Sequence, residues 1–155
     1  MADKPELLAY CGLYCGDCGG HTGDIAEAAR SLLNTLERYR FERTAASLFA
    51  SELPDYEGFR KALEFVSGLT CPAHCRTRDE PACGIAKCAI GKGLAGCYEC
   101  DGFRTCETLG GLEELHGDSC VRNIESIRKM GPEAWVAEGR RLWFGSDVDG
   151  GPPSE

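Results

Sequence analysis

Apolar residues recur at helical spacing over most of the chain, and strict alternation of apolar and polar positions is almost absent. Ile25, Ala29, Leu32, Leu33 and Leu36 fall on one face of a helix that begins near Asp24. Asp24 with Glu27 three residues on has the form of a capping box, and Thr22 is a rival cap. A second helical stretch, around 44–50, carries Leu48 and Phe49. Pro54 and Asp55 then break and restart the chain. Tyr56, Phe59, Leu63 and Val66 form the next apolar stripe, with Gly68 as a stop just past its end. Near the C-terminus, Asp118 or Ser119 is placed to cap a run with Val121, Ile124 and Ile127 on one face, closed by Gly131. Pro132 and Glu133 suit the first turn of a last helix carrying Trp135, Val136, Leu142 and Trp143. Gly139 weakens that run by about 1 kcal/mol relative to Ala.

Residues 69–103 break the pattern. They are short of apolar periodicity and dense in Cys and Gly, which predicts loops and turns with one short helix from Gly84 to about Lys92, ended by Gly93. The expected fold is therefore mostly α. It is a single small helical domain over 1–144 with an irregular, metal-stapled Cys-rich segment and little or no sheet. A disordered tail is expected over 145–155.

Composition explains why a staple is needed. The chain has 155 residues, 20 glycines and 8% aromatics, which leaves a thin core, and it has 11 cysteines. The N-terminal residues contain no apolar signal region, and no apolar run is long enough to span a bilayer. The expected compartment is a reducing cytoplasm, where clustered thiols serve more often as metal ligands than as disulfides. The net charge of -8 and the scattered basic residues lack the electrostatic footprint of a nucleic-acid binder. Neither nucleic acid nor membrane is an expected partner, and a protein partner stays open.

The cysteine spacing carries the chemistry. Cys11-x3-Cys15-x2-Cys18 opens the chain; Cys71-x3-Cys75, Cys83-x4-Cys88, Cys97-x2-Cys100 and Cys106 follow. A C-x2-C turn brings two sulfurs onto one tetrahedral ion, and the remaining ligands can arrive from far along the chain. Ten clustered thiols suffice for two four-ligand zinc sites. One grouping joins Cys11, Cys15 and Cys18 with a fourth ligand from the later segment. The other joins Cys97 and Cys100 with two of Cys71, Cys75, Cys83 and Cys88, and Cys106 fits either. Cys120 sits in a helical run without a Cys neighbour in sequence and reads as a buried apolar residue. His21, His74 and His116 read as exposed or hydrogen-bonded imidazoles rather than ligands, because sulfur is in surplus.

The alternative cofactor is a [4Fe–4S] cluster, which four cysteines hold as readily as zinc. It would make the protein an electron carrier or redox sensor. The opening C-x3-C-x2-C also matches the spacing of radical S-adenosylmethionine enzymes, but the chain has neither the strands nor the length of their barrel. Cys97-x2-Cys100 lacks the β-α-β setting of a thioredoxin-like centre. No nucleophile elbow, phosphate loop or H-E-x-x-H motif is present, so no catalytic residue is assigned.

Three segments together resemble a known family: C-G-L-Y-C-G-D-C at the start, C-G-I-A-K-C-A-I-G-K-G leading to Cys97-x2-Cys100 with Phe103 and Cys106, and N-I-E-S-I-R-K-M-G-P-E-A-W near the end. They resemble the uncharacterised bacterial and archaeal family called domain of unknown function 3795, from Tyr10 to about Trp143. The resemblance implies a small, mostly helical, Cys-rich and metal-binding protein without an established activity. It supports Cys11, Cys15, Cys18, Cys83, Cys88, Cys97, Cys100 and Cys106 as ligands. Cys71 and Cys75 are one residue further apart than the family's usual C-x2-C pair. Phe103 and Cys106 depart likewise from its usual F-P-C. Many members continue into a further Cys-bearing segment where this sequence has D-V-D-G-G-P-P-S-E.

Overall fold

Nine α-helices, four three-residue 3-10 turns and a single isolated bridge, Leu8 to Tyr14, account for the regular structure among the described residues of the computed structural model, 4–71, 74–77 and 80–145. The mostly α expectation holds. From residue 146 on, the expected tail lies outside the described residues. The chain divides into two compact units, Gly19–Pro72 and Met1–Cys18 with Ala73–Glu155.

The first unit is a helical one: α1 (Gly19–Thr22), α2 (Asp24–Arg38), α3 (Phe41–Leu48) and α4 (Tyr56–Ser67). The N-cap of α2 is Gly23 in the left-handed region, so the Asp24–Glu27 capping box does not form. Thr22, one residue earlier, accepts the Asp24 N–H on its Oγ1 at 3.4 Å and donates to Asp24 Oδ2 at 2.6 Å. The buried positions of α2 are Ala26, Ala29 and Leu33, whereas Ile25 and Leu32 of the expected face are exposed. The reason is geometric. At roughly 100° per residue, the apolar sector of α2 is wider than its main neighbour, α4, can cover.

Helix α4 follows the sequence closely. Asp55 caps it by accepting the Gly58 N–H at 2.8 Å, and Gly68 ends it. Its stripe is only half-covered, and Phe59 is exposed. Phe41 stacks on Phe49 with ring centres 6.4 Å apart and meets Tyr56 at 6.0 Å, and Tyr56 in turn meets Phe59 at 6.1 Å. These rings join α3 to α4.

The second unit is cysteine-rich: α5 (Gly84–Gly91), α6 (Glu107–Gly110), α7 (Glu113–His116), α8 (Ser119–Met130) and α9 (Pro132–Glu138), with short 3-10 turns between them. Helix α8 is its spine. Ile127 joins Leu8, Tyr14, Trp135 and Val136 in one apolar cluster. Cys120 and Ile124 join Leu13, Ile85, Phe103 and Leu109 in another.

Asp118 is the N-cap of α8, Gly131 closes it and Pro132 opens α9, as expected, whereas Ser119 and the end of α9 differ. Ser119 does not cap α8; it is fully buried, and its Oγ accepts the Gly145 N–H at 2.7 Å. Helix α9 stops at Glu138, and Gly139 turns the backbone extended, so Leu142 and Trp143 lie beyond the helix. They form a strap on α8. Buried Asn123 donates to Leu142 O at 2.9 Å and accepts from Leu142 N–H at 3.0 Å. His116 Nδ1 lies 2.8 Å from Trp143 O, and the two rings meet edge to face. Gly131 links α8 to α9 at φ 85°, a conformation that strongly favours glycine there.

Candidate metal centre

Both C-x2-C motifs fold into the same local shape. Cys15–Asp17 and Cys97–Glu99 are 3-10 turns, closed by Cys18 N–H to Cys15 O at 3.1 Å and Cys100 N–H to Cys97 O at 3.0 Å. The second cysteine of each is extended, at φ -89° in both. Phe103–Thr105 repeats the turn and delivers Cys106 in a similar conformation. Three consecutive residues are the natural length for a 3-10 turn.

Helix α5 supplies the facing wall. Ile85, Cys88, Ala89 and Lys92, at helical spacing, line a cavity of about 30 Å³ together with Cys97, Cys100, Phe103, Cys106 and Leu109. Four thiols therefore surround one small space with mostly apolar walls. Its size admits a single ion or a water or two, and it is far below the roughly 300 Å³ of a small-molecule pocket.

Electrostatics work against a set of bare thiolates here. Burial, then the like charges of Cys11, Cys106, Cys100 and Cys88, push the Cys97 thiol up to about 12. A dication is the natural counter-charge for such a set. As the side chains stand, no group of three or more Cys, His, Asp or Glu among the described residues forms a metal-holding cluster. The thiols surround the cavity without converging into a coordination sphere. Four cysteines are a donor set that suits zinc.

The remaining expected ligands are placed differently. Cys11, Cys15 and Cys18 are not gathered into one metal-holding group. Cys11 instead shares a hydrogen bond with Cys120, a neighbour that the sequence did not reveal. That bond, backed by backbone N–H groups at Leu13 and Cys11 and by the charge of Arg76, lowers the Cys11 thiol against the opposing effect of burial. The same bond and burial raise Cys120, which is buried as expected. Gly12 makes the turn possible. It sits at φ 86°, and a Cβ there would stand 2.9 Å from Ile124 Cγ1.

Burial raises the Cys75 thiol, a backbone hydrogen bond from Tyr10 opposes this, and Cys11 and Cys83 are its like-charge neighbours. Cys83 is exposed at the N-cap of α5. Cys71 belongs to the helical unit, where its N–H donates to Gly20 O at 2.7 Å. None of the eleven cysteines is paired in a disulfide, which leaves each available to bind a metal as a thiolate.

Two arginines that the sequence did not single out brace the surroundings. Arg76 lies 4.4 Å over the Tyr10 ring, donates to Ala95 O at 2.7 Å and also bonds Leu8 O. Cys97 N–H donates to Tyr10 O at 2.8 Å, so the N-terminal segment and the Cys97 turn are fixed together. Arg141 lies 4.4 Å over Tyr14, pairs with Asp17 at 2.9 Å and donates to Val136 O at 3.0 Å. Their partners are as many as 68 to 127 residues away, and no local pattern marks them.

Fold and thiols define a small, mostly helical, cysteine-rich protein. The family described as Protein of unknown function (DUF3795) matches residues 7–111, the greater part of the chain, and the chain belongs to that family. The matched span contains both C-x2-C turns and all four cavity thiols. It stops before α8 and α9, and so before the closing segment of the resemblance. No curated protein and no solved structure matches the chain.

Proposed function

We propose that this protein is a cytoplasmic metal-binding module that holds zinc through Cys88, Cys97, Cys100 and Cys106, without catalysis of its own. The observation that carries the reading is that these four thiols, from one helix and two successive tight turns, line one small cavity. The ion would bridge α5 to the turns over 97–106 and supply a counter-charge for the thiolates. A closed four-sulfur sphere leaves no open position for substrate, which is the mark of a structural site. The cavity's size favours a single ion over a cluster. Because each ligand sheds its proton to bind, affinity falls as pH is lowered.

Metal analysis of anaerobically purified protein tests this. A colourless protein with stoichiometric zinc that is lost in Cys97→Ser and Cys100→Ser is expected. A brown protein whose visible absorption is bleached by dithionite would replace zinc with an iron–sulfur cluster. Metal-free protein that gains no zinc on titration would sink the module reading altogether.

A further inference from the structure

The exposed edge of α2 has a pattern of its own. Ile25, Leu32 and Tyr39 recur every seven residues and are 54%, 42% and 71% exposed. At roughly 100° per residue they run along one side of the helix, with Leu36 beside them; Ala26 and Leu33 occupy the other edge of the apolar sector. Large apolar side chains in register along a helix, left in water, form the seam that a second helix covers in a two-helix pair.

The charge distribution identifies the second helix. Asp24 and Glu27 occupy the first turn, Glu37 and Arg38 the last, and Arg40 follows just past the C-cap Tyr39, so the start of α2 is net acidic and its end net basic. A parallel copy would set like charges side by side. An antiparallel copy, related by a two-fold axis at Leu32, sets Ile25 of one copy against Tyr39 of the other, and Ala28 against Leu36. It also brings Asp24 near Arg40 and opposes the helix dipoles favourably. The stripe is symmetric about Leu32, so the surface is complementary to itself.

We infer that α2 is a homodimerisation helix, pairing antiparallel with α2 of a second copy of this chain through Ile25, Leu32 and Tyr39. A 15-residue helix is about 22 Å long. A seam of that length is small beside a standard interface, so the dimer is reversible and concentration-dependent. The inference does not depend on the metal reading, because no cysteine takes part in the seam.

Sedimentation velocity of the full-length, metal-loaded protein over a concentration series tests it. The expected result is a monomer–dimer equilibrium that Leu32→Glu weakens by at least about tenfold, since two carboxylates then meet at the axis. Asp24→Arg and Arg40→Glu each weaken it, and the two together restore it. Asp24 opens α2 and Arg40 lies two residues past its end, both exposed, so the charge exchange carries the test even if Leu32→Glu disturbs folding, which circular dichroism reports. A monomer at every concentration overturns the inference and leaves the stripe to another protein. A dimer indifferent to Leu32→Glu places the interface elsewhere. Failure of the exchanged pair to recover rejects the antiparallel register.

Discussion

In the helical unit the buried apolar positions are Ala26, Ala29, Leu33 and Ala45. In the cysteine-rich unit they include Leu8, Tyr14, Phe103, Ile124, Ile127 and Trp135. The helical unit has the longest helix, a capped α4 and local i,i+3 and i,i+4 ion pairs such as Arg30–Glu27 and Arg60–Glu57, yet little buried bulk. The cysteine-rich unit has two four-residue helices, α6 and α7, too short to persist alone, and they stand on a core assembled from distant segments. Regular local structure and a large core are thus separated in this chain. Where the core is strong, the secondary structure around α8 is mostly short turns and helices, and ten of the eleven cysteines lie there.

Removing the proposed zinc is the most severe way to probe this contrast. Structural zinc contributes on the order of 10 kcal/mol in small metal domains. Chelation should therefore raise hydrogen exchange sharply in α5, α6 and the turns over 97–106, while α2 and α4 change least. A rise shared equally by both units would erase the distinction, and no rise anywhere would remove the metal from the stability of the fold.

Trp135→Ala comes next. The side chain is fully buried against Leu8, Tyr14 and Ile127, so urea denaturation should show a loss of about 3–5 kcal/mol. A loss below 1 kcal/mol, as expected of a surface position, would mean that this core is not what holds the cysteine-rich unit.

Asn123→Ala should cost about 2 kcal/mol, because Leu142 N–H and C=O both lose a buried partner. The strap over 142–145 should then become sensitive to limited proteolysis. Unchanged cleavage would show that His116 and Ser119 hold the strap without Asn123.

The smallest effect belongs to the helical unit. Asp55→Ala removes the cap of α4 and should cost about 1 kcal/mol, with faster exchange confined to the first turn of α4. Spread of that change into α8 would show that the two units unfold together.

Particular residues show what could be read in advance. Asp55, the Tyr56 stripe and Gly68 fixed α4 because cap, period and stop act within a few residues of one another. The Gly84 to Lys92 helix and its Gly93 stop were legible for the same reason. The span of α9 was not, because Leu142 and Trp143 continue its apolar pattern but are claimed by Asn123 and His116. The buried face of α2 was misread, since a period shows that a helix has an apolar sector but not which part a neighbour covers. For the candidate site, C-x2-C spacing announced both tight turns. Cys88 and Cys106 were among the candidates to join Cys97 and Cys100, but spacing did not select them, and that Cys11 would meet Cys120 was not visible.

The sequence by itself determined the longer helices, the bounds of α4 and the thiol-bearing turns, since each depends on φ/ψ preference and hydrogen bonds over a few residues. Only the tertiary structure decided which thiols share a cavity, where Arg76 and Arg141 anchor, and which edge of α2 is left open. Those outcomes depend on chain segments that meet across long sequence separations, where packing and burial, rather than local geometry, select the partners.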